Sequence, residues 1–200
     1  MKGYWKNEKS TAESLKDGWL HTGDLGYVNE QGLLYVLGRF KSLLIANDGE
    51  KFSPEGIEEA ITEQSPYIDY CVLYNNQSPY TSGLIVPNKN ALKEYLKRKN
   101  TEFGSVEGYK LMLGKINKEL MKFRYGGEHA GLFPERWLPA VVAILPESLS
   151  EQNGTINSTK VVRHKVIEIF KNELEFVYTP EGKDIQNTHN TQNIKQYMEN

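Results

Sequence analysis

From Arg39 onward the chain alternates short strand-like apolar runs with apolar stripes at helical spacing, and this alternation narrows the choice of fold more than any other feature. Ser42-Leu43-Leu44-Ile45 reads as a short strand. Ser53 is placed to cap a helix with Pro54 at its first position, and Ile57, Ala60 and Ile61 follow as one apolar stripe. Ile68 to Tyr74 alternates like a strand around Cys71, and Ser82 to Val86 can pair with it across the Gln77-Ser78-Pro79 loop. Asn90 to Lys99 predicts a short basic helix carrying Leu92, Tyr95 and Leu96. Val106 to Phe123 predicts the longest helix, with Leu113, Ile116, Leu120 and Phe123 on one face. Leu138 to Leu145 reads as a buried strand whose Pro139 puts that end at a sheet edge or strand start. A last helix over about Val161 to Val177 is expected to bury Val166, Ile169, Phe170, Leu174 and Val177. Few short strands among helices predict an α+β domain over residues 41–180, with a short, mainly antiparallel sheet flanked by helices.

The first forty residues differ. Asp17-Gly18, Gly23-Asp24, Gly26 and Gln31-Gly32 punctuate short apolar pieces, among which Leu33 to Leu37 and Gly18-Trp19-Leu20 are strand candidates. These hairpin elements are too small to fold alone. At the other end, residues 181–200 read as a polar tail, mobile or peripherally docked, with only Ile194 and Tyr197 to bury.

Composition removes several functions. The 24 Lys+Arg against 26 Asp+Glu give a net charge of −2, so no blanket attraction to nucleic acid or anionic membrane is expected. No apolar run approaches a membrane span, and Met1 to Lys9 lacks the apolar stretch of a secretory leader. Cys71 is the only cysteine, which fits a reducing, cytoplasmic setting, and with four scattered histidines it makes no recognisable metal site. Lys93, Lys97, Arg98 and Lys99 form a basic patch, but Glu94 interrupts it and no aromatic platform accompanies it; a solvated helix face accounts for it. Met112 and Met121 read as core filler, and Cys71 as a small buried hydrophobe.

Four segments have chemistry available to them. Thr22-Gly23-Asp24-Leu25-Gly26 presents a carboxylate on a tight turn, suited to accept from a vicinal diol, although Gly-Asp turns are common. Arg39 follows a strand directly, where a guanidinium can hold a phosphate or simply be solvated. Asn47-Asp48-Gly49-Glu50 is a turn whose glycine admits close approach of a ligand, or a plain loop. Lys160 lies on a polar, glycine-containing loop before a helix, where a long side chain can reach a developing anion or remain in water.

Order and spacing raise these segments above their separate weight. Gly3-Tyr4-Trp5 and Asp17 through Gly26 resemble the end of the large domain of adenylate-forming enzymes: acyl-CoA synthetases, luciferases and peptide-synthetase adenylation domains. Gly38-Arg39-Phe40-Lys41-Ser42-Leu43-Leu44-Ile45 and Gly49 through Glu58 resemble the hinge and the following loop, with a Pro-x-x-Ile-Glu spacing most like that of long-chain acyl-CoA synthetases. Asn153-Gly154 through Thr159-Lys160-Val161-Val162-Arg163 resembles the C-terminal lysine loop.

The resemblance implies that residues 1–40 are a β-hairpin remnant ending the large adenylation domain, and that residues 41–180 are the mobile C-terminal lid. Asp24 would hold the ribose hydroxyls of ATP and of the acyl-adenylate, and Arg39 a ribose or phosphate oxygen. Lys41 would be the hinge. Lys160 would be the catalytic cation of adenylation, and the Gly49–Glu50 loop would line the pantetheine channel for CoA in the second half-reaction. Mg2+ is expected in the full enzyme with its ligands outside this chain. The missing N-terminal adenylation domain, fatty acid, ATP and CoA are the partners so implied; peripheral membrane contact is left open, and the fragment alone is expected to be inactive. Two departures stand out: Glu50 follows Gly49 where many relatives carry a basic residue, and Thr159 precedes Lys160 where many carry glycine. The residues alone also permit a non-enzymatic binding module with the lid fold, or an adenylating domain that loads an acyl carrier protein. Gly126 to His129 and Phe133 to Trp137 receive no role beyond a turn and an interface to the missing domain.

Overall fold

Turn chemistry governs the first of the two units into which the chain divides, Met1–Leu43 and Leu44–Asn200, in a computed structural model that describes residues 1–158 and 160–200. Asn7 caps helix α1 (Glu8–Ser14) by accepting the Ser10 N–H at 2.9 Å. Strands β1 (Leu15–Lys16) and β2 (Trp19–Leu20) pair antiparallel across Asp17-Gly18, whose φ values of 52° and 81° are those of a primed hairpin turn. β3 (Asp24–Val28) and β4 (Leu34–Arg39) form a second antiparallel hairpin with an irregularity between Leu25 and Gly26. A β-carbon on Gly26 would lie 2.6 Å from the Tyr35 carbonyl oxygen, so only glycine fits there. No residue of 1–43 is buried, and two-stranded pieces of this size bury little by themselves. Lys41 sits in the 3-10 turn Phe40–Ser42, next to the division of the chain.

In the second unit, β5 (Leu44–Ala46) pairs antiparallel with β6 (Lys51–Phe52), and helix α2 (Glu55–Gln64) follows. β7 (Ile68–Tyr74) leads to β8 (Asn76–Ser78), which pairs parallel with β5, and to β9 (Ser82–Pro87). Helices α3 (Lys89–Arg98) and α4 (Val106–Met121) then carry the chain to β10 (Val141–Ile144). The central sheet has the order β10-β9-β7. β7 and β9 are antiparallel from Ile68↔Pro87 to Tyr74↔Ser82, whereas β10 runs parallel to β9. A parallel neighbour needs a crossover, which α3 and α4 supply. Every residue of the middle strand β9 is buried, and Leu113, Ile116 and Leu120 of α4 belong to the same core.

β11 (Ile156–Asn157) and β12 (Lys160–Val161) make a short hairpin, followed by α5 (Arg163–Ile169) and α6 (Lys171–Phe176). The expected single C-terminal helix is thus two, broken where Phe170 leaves helical torsions at φ −101° and ψ 33° to bury its ring. That break turns Ile169 outward, 41% exposed, against the expectation of burial. Ser53 does not cap α2: the helix starts from Pro54, whose carbonyl accepts the Ile57 and Glu58 N–H groups, and the buried Ser53 Oγ has no hydrogen-bond partner among the described residues. Met112 is core, but Met121 at the end of α4 is 45% exposed.

The largest difference lies at the C-terminus. Residues 181–200 form a 3-10 turn and helix α7 (Thr188–Glu199), which docks on β10 and α4 and buries Asn190, Asn193, Ile194, Tyr197 and Met198. The expected mobile or peripheral tail is therefore an integral element. Ile194 and Tyr197 are buried as expected; what polar spacing conceals is that two asparagines are buried with them: Asn190 Oδ1 accepts the Ile144 N–H at 2.9 Å, Asn190 Nδ2 donates to the Val142 carbonyl at 3.1 Å, and Asn193 Nδ2 donates to the Ile144 carbonyl at 2.9 Å. These side chains satisfy the outer edge of β10 as a further strand would.

Candidate functional site

In the first unit the β3–β4 hairpin brings together Asp24 and Arg39, opposite each other in register, with Arg39 Nε 3.3 Å from Asp24 Oδ1. Thr22 Oγ1 accepts the Asp24 N–H at 3.1 Å and the Gly23 carbonyl accepts the Phe40 N–H at 2.9 Å, fixing both ends of the pair. Asp24 therefore begins a strand rather than occupying a turn. Its carboxylate and the guanidinium beside it remain exposed, a donor and an acceptor side by side.

In the second unit the loop between β5 and β6 is closed by Ala46, whose N–H donates to the Glu50 carbonyl and whose own carbonyl accepts the Gly49 N–H, both at 2.9 Å. Gly49 has φ +85°, and no atom of the described residues stands within 4 Å of where its β-carbon would be. Glu50 is not available to solvent in the same way. Its Oε1 accepts from Arg136 Nη2 at 2.6 Å and its Oε2 from Trp137 Nε1 at 2.9 Å. Trp137 in turn stacks on Phe52 with ring centroids 5.1 Å apart and 3° between planes. The Phe133 to Trp137 stretch, expected only to form a turn or an interface to the missing domain, thus anchors the Gly49–Glu50 loop from within its own unit. A cleft of about 160 Å³ opens beside this anchor, with Asp48, Asn75, Tyr80, Arg124 and Arg136 among its walls.

The third position is Lys160, exposed on β12, with no side-chain hydrogen bond or ion pair among the described residues. Its neighbour Thr159, one of the two departures noted in the sequence, lies outside the described residues. Both legs of the loop are held. Buried Thr155 accepts the Ser150 N–H on its Oγ1 at 2.8 Å, and its carbonyl accepts the Val162 N–H at 2.8 Å. Val161 and Ile156 pack against the core. Beyond them, Arg163 Nη2 meets Glu58 Oε2 at 2.6 Å, largely out of solvent. Both residues stood within the motifs noted in the sequence, but only the structure pairs them. Cys71 lies in the buried strand beside this pair; burial pushes its thiol up, Glu58 adds to that and Arg163 opposes it. A neutral thiol of this kind is packing, not a nucleophile.

The basic patch on α3 is tied back: Lys97 meets Glu94 at 2.6 Å and Arg98 Nη2 donates to the Tyr67 hydroxyl at 3.0 Å. Among the described residues, no three His, Cys, Asp or Glu side chains are grouped to hold a metal, and no helix is long and apolar enough to cross a membrane.

Residues 41–123 match the family model of the AMP-binding enzyme C-terminal domain. A long-chain-fatty-acid–CoA ligase of Mycobacterium tuberculosis is 28% identical over 184 residues, covering 90% of this chain and 30% of its own length. Long-chain-fatty-acid–CoA ligase 6 of Rattus norvegicus is 31% identical over 186 residues, 90% of this chain and 26% of its own. Among solved structures, the adenylation domain of a carboxylate reductase from Mycobacterium chelonae superposes with a TM-score of 0.70 at 23% identity, covering 88% of this chain and 26% of that one; this likeness is one of fold. The chain spans less than a third of the length of the curated relatives it matches.

Proposed function

We propose that this chain, whose residues 41–123 match the AMP-binding enzyme C-terminal domain model and which is similar along most of its length to long-chain-fatty-acid–CoA ligases, is the C-terminal part of an ATP-dependent long-chain fatty acid–CoA ligase. In this reading residues 1–40 end the large adenylation domain, 41–180 are the mobile lid, and 181–200 are a polar C-terminal extension of that lid. Lys41 is the hinge. In the first half-reaction a fatty-acid carboxylate oxygen attacks the α-phosphorus of ATP, and the bond to pyrophosphate breaks. Asp24 accepts from the ribose hydroxyls and Arg39 donates to a ribose or phosphate oxygen. Lys160 meets the charge that builds on the α-phosphate. In the second half-reaction the CoA thiol displaces AMP from the acyl group, with the Gly49–Glu50 loop lining the channel. Mg2+ ligands are placed outside this chain. A single buried cysteine agrees with a cytoplasmic setting.

The observation that carries the reading is Lys160: an exposed ammonium without a side-chain partner among the described residues, on a hairpin whose two legs are both fixed. A preorganised cation aimed at developing charge needs no covalent chemistry of its own. In the longer enzyme that includes the adenylation domain, Lys160→Ala should cut adenylate formation by roughly 10²- to 10³-fold, the scale of losing one preorganised donor, and should spare thioester formation from supplied acyl-adenylate. Equal loss of both steps would reject the assignment. The chain alone should show no ATP–pyrophosphate exchange, and its detection would reject the division of labour between the domains.

A further inference from the structure

Arg163 sits in the first turn of α5, where a cation opposes the helix dipole, so its placement there calls for a compensating partner. That partner is Glu58 of α2, and the two close on a single residue. Arg163 Nη1 donates to the Leu73 carbonyl at 2.8 Å while Glu58 Oε1 accepts the Leu73 N–H at 2.5 Å. β7 is an edge strand of the central sheet, and the ion pair satisfies both outward backbone groups of Leu73. The side chains are only 18% and 14% exposed, and the contacts join segments 105 and 90 residues apart. The clamp therefore ties α2, β7 and α5 together at the point where the chain leaves the Lys160 hairpin. Just inside it, the Val162 N–H closes on the Thr155 carbonyl at 2.8 Å.

We infer that Glu58 and Arg163 are positioning residues for Lys160, fixing the C-terminal leg of its hairpin to the rigid sheet so that the ammonium is delivered to one place. This rests on reading Lys160 as the cation of adenylation. Neither clamp residue touches substrate; both act through the backbone of Val161 and Val162. A charge-assisted, nearly buried pair with both carboxylate oxygens and both terminal guanidinium nitrogens directed holds a leg more firmly than packing of Val161 alone.

The test uses the longer enzyme that includes the adenylation domain, with ATP–pyrophosphate exchange and thioester formation from supplied acyl-adenylate measured separately. Glu58→Gln and Arg163→Lys should each lower kcat for adenylation by roughly ten- to a hundredfold, the cost of misplacing a catalytic group by about 1 Å, with KM for ATP and the thioester step unchanged. Arg163→Lys keeps the buried cation, so it carries the test even where Glu58→Gln unfolds the protein. Parent-like adenylation by Arg163→Lys, or equal loss in both half-reactions, would overturn the positioning role. Lys160→Ala is run alongside: parent-like adenylation in that variant would overturn the underlying reading itself, a result distinguishable from failure of the clamp.

Discussion

Asp24 and Arg39 face one another across the β3–β4 hairpin at 3.3 Å, with 40% and 61% of their side chains exposed. An ion pair this open contributes at most about 1 kcal/mol, so its strength as a structural contact is small. Asp24→Asn should leave the melting temperature nearly unchanged while weakening AMP binding by the full-length enzyme about tenfold, the loss of one charge-assisted hydrogen bond. Calorimetric titration with AMP checks this; unchanged affinity would remove Asp24 from the nucleotide site.

Glu50 makes the opposite case, since both its carboxylate oxygens are committed to Arg136 and Trp137. Arg136→Ala should loosen the Gly49 loop at a stability cost of about 1 kcal/mol or less, because Arg136 is mostly exposed. Thioester formation should slow while ATP–pyrophosphate exchange keeps its rate. A variant that slows exchange as well would disconnect this loop from the second half-reaction.

Alkaline stability isolates Cys71. Its folded thiol ionises well above the usual value because burial disfavours the thiolate. Between the unfolded and folded values the unfolded chain holds fewer protons, so stability is complete below about pH 8.5 and falls above it by up to about 1.4 kcal/mol per unit. Burial likewise pushes Tyr109 and Tyr197 up to about 12, so these join only above the ordinary tyrosine value of about 10. Chemical denaturation of Cys71→Ala at pH 7, 8.5 and 10 should show a flatter decline than the parent over this window. The same slope in both would place the thiol outside the core.

The docking of α7 is tested at Asn190, which bonds the Ile144 N–H and the Val142 and Ile185 carbonyls. Asn190→Leu fits an apolar group to the same place but leaves those backbone groups unpaired, at a cost of about 1–3 kcal/mol. Denaturant midpoints measure it. A neutral result would mean that α7 is held by Ile194, Tyr197 and Met198 alone.

Periodicity reported most elements of the second unit because local spacing and burial agree there. Ile57 and Ile61 on α2, Leu92 and Leu96 on α3, and the β7–β9 pairing around Cys71 all follow from which residues must leave water. It did not report that β10 would lie parallel to β9, since strand direction depends on where the crossover through α3 and α4 sets the chain down. Phe170 split the last helix for a similar reason: burying that ring outweighed continuing the turn.

The candidate site divides along the same line. The order of glycines, Asp24, Arg39, Gly49 and Lys160 is a property of the chain, and the sequence by itself determined which groups with suitable chemistry exist and how they follow one another. Which of them are held and which are exposed was decided by the tertiary structure alone. Glu50 is taken by Arg136 and Trp137, Glu58 meets Arg163 over Leu73, and Asn190 completes the edge of β10. Each is a directional polar contact between segments remote in sequence, whose strength depends on a few tenths of an ångström and on exclusion from water. Hydrophobic spacing carries no record of such partners, because a paired polar side chain in the core and a solvated one on the surface are spelled with the same letters.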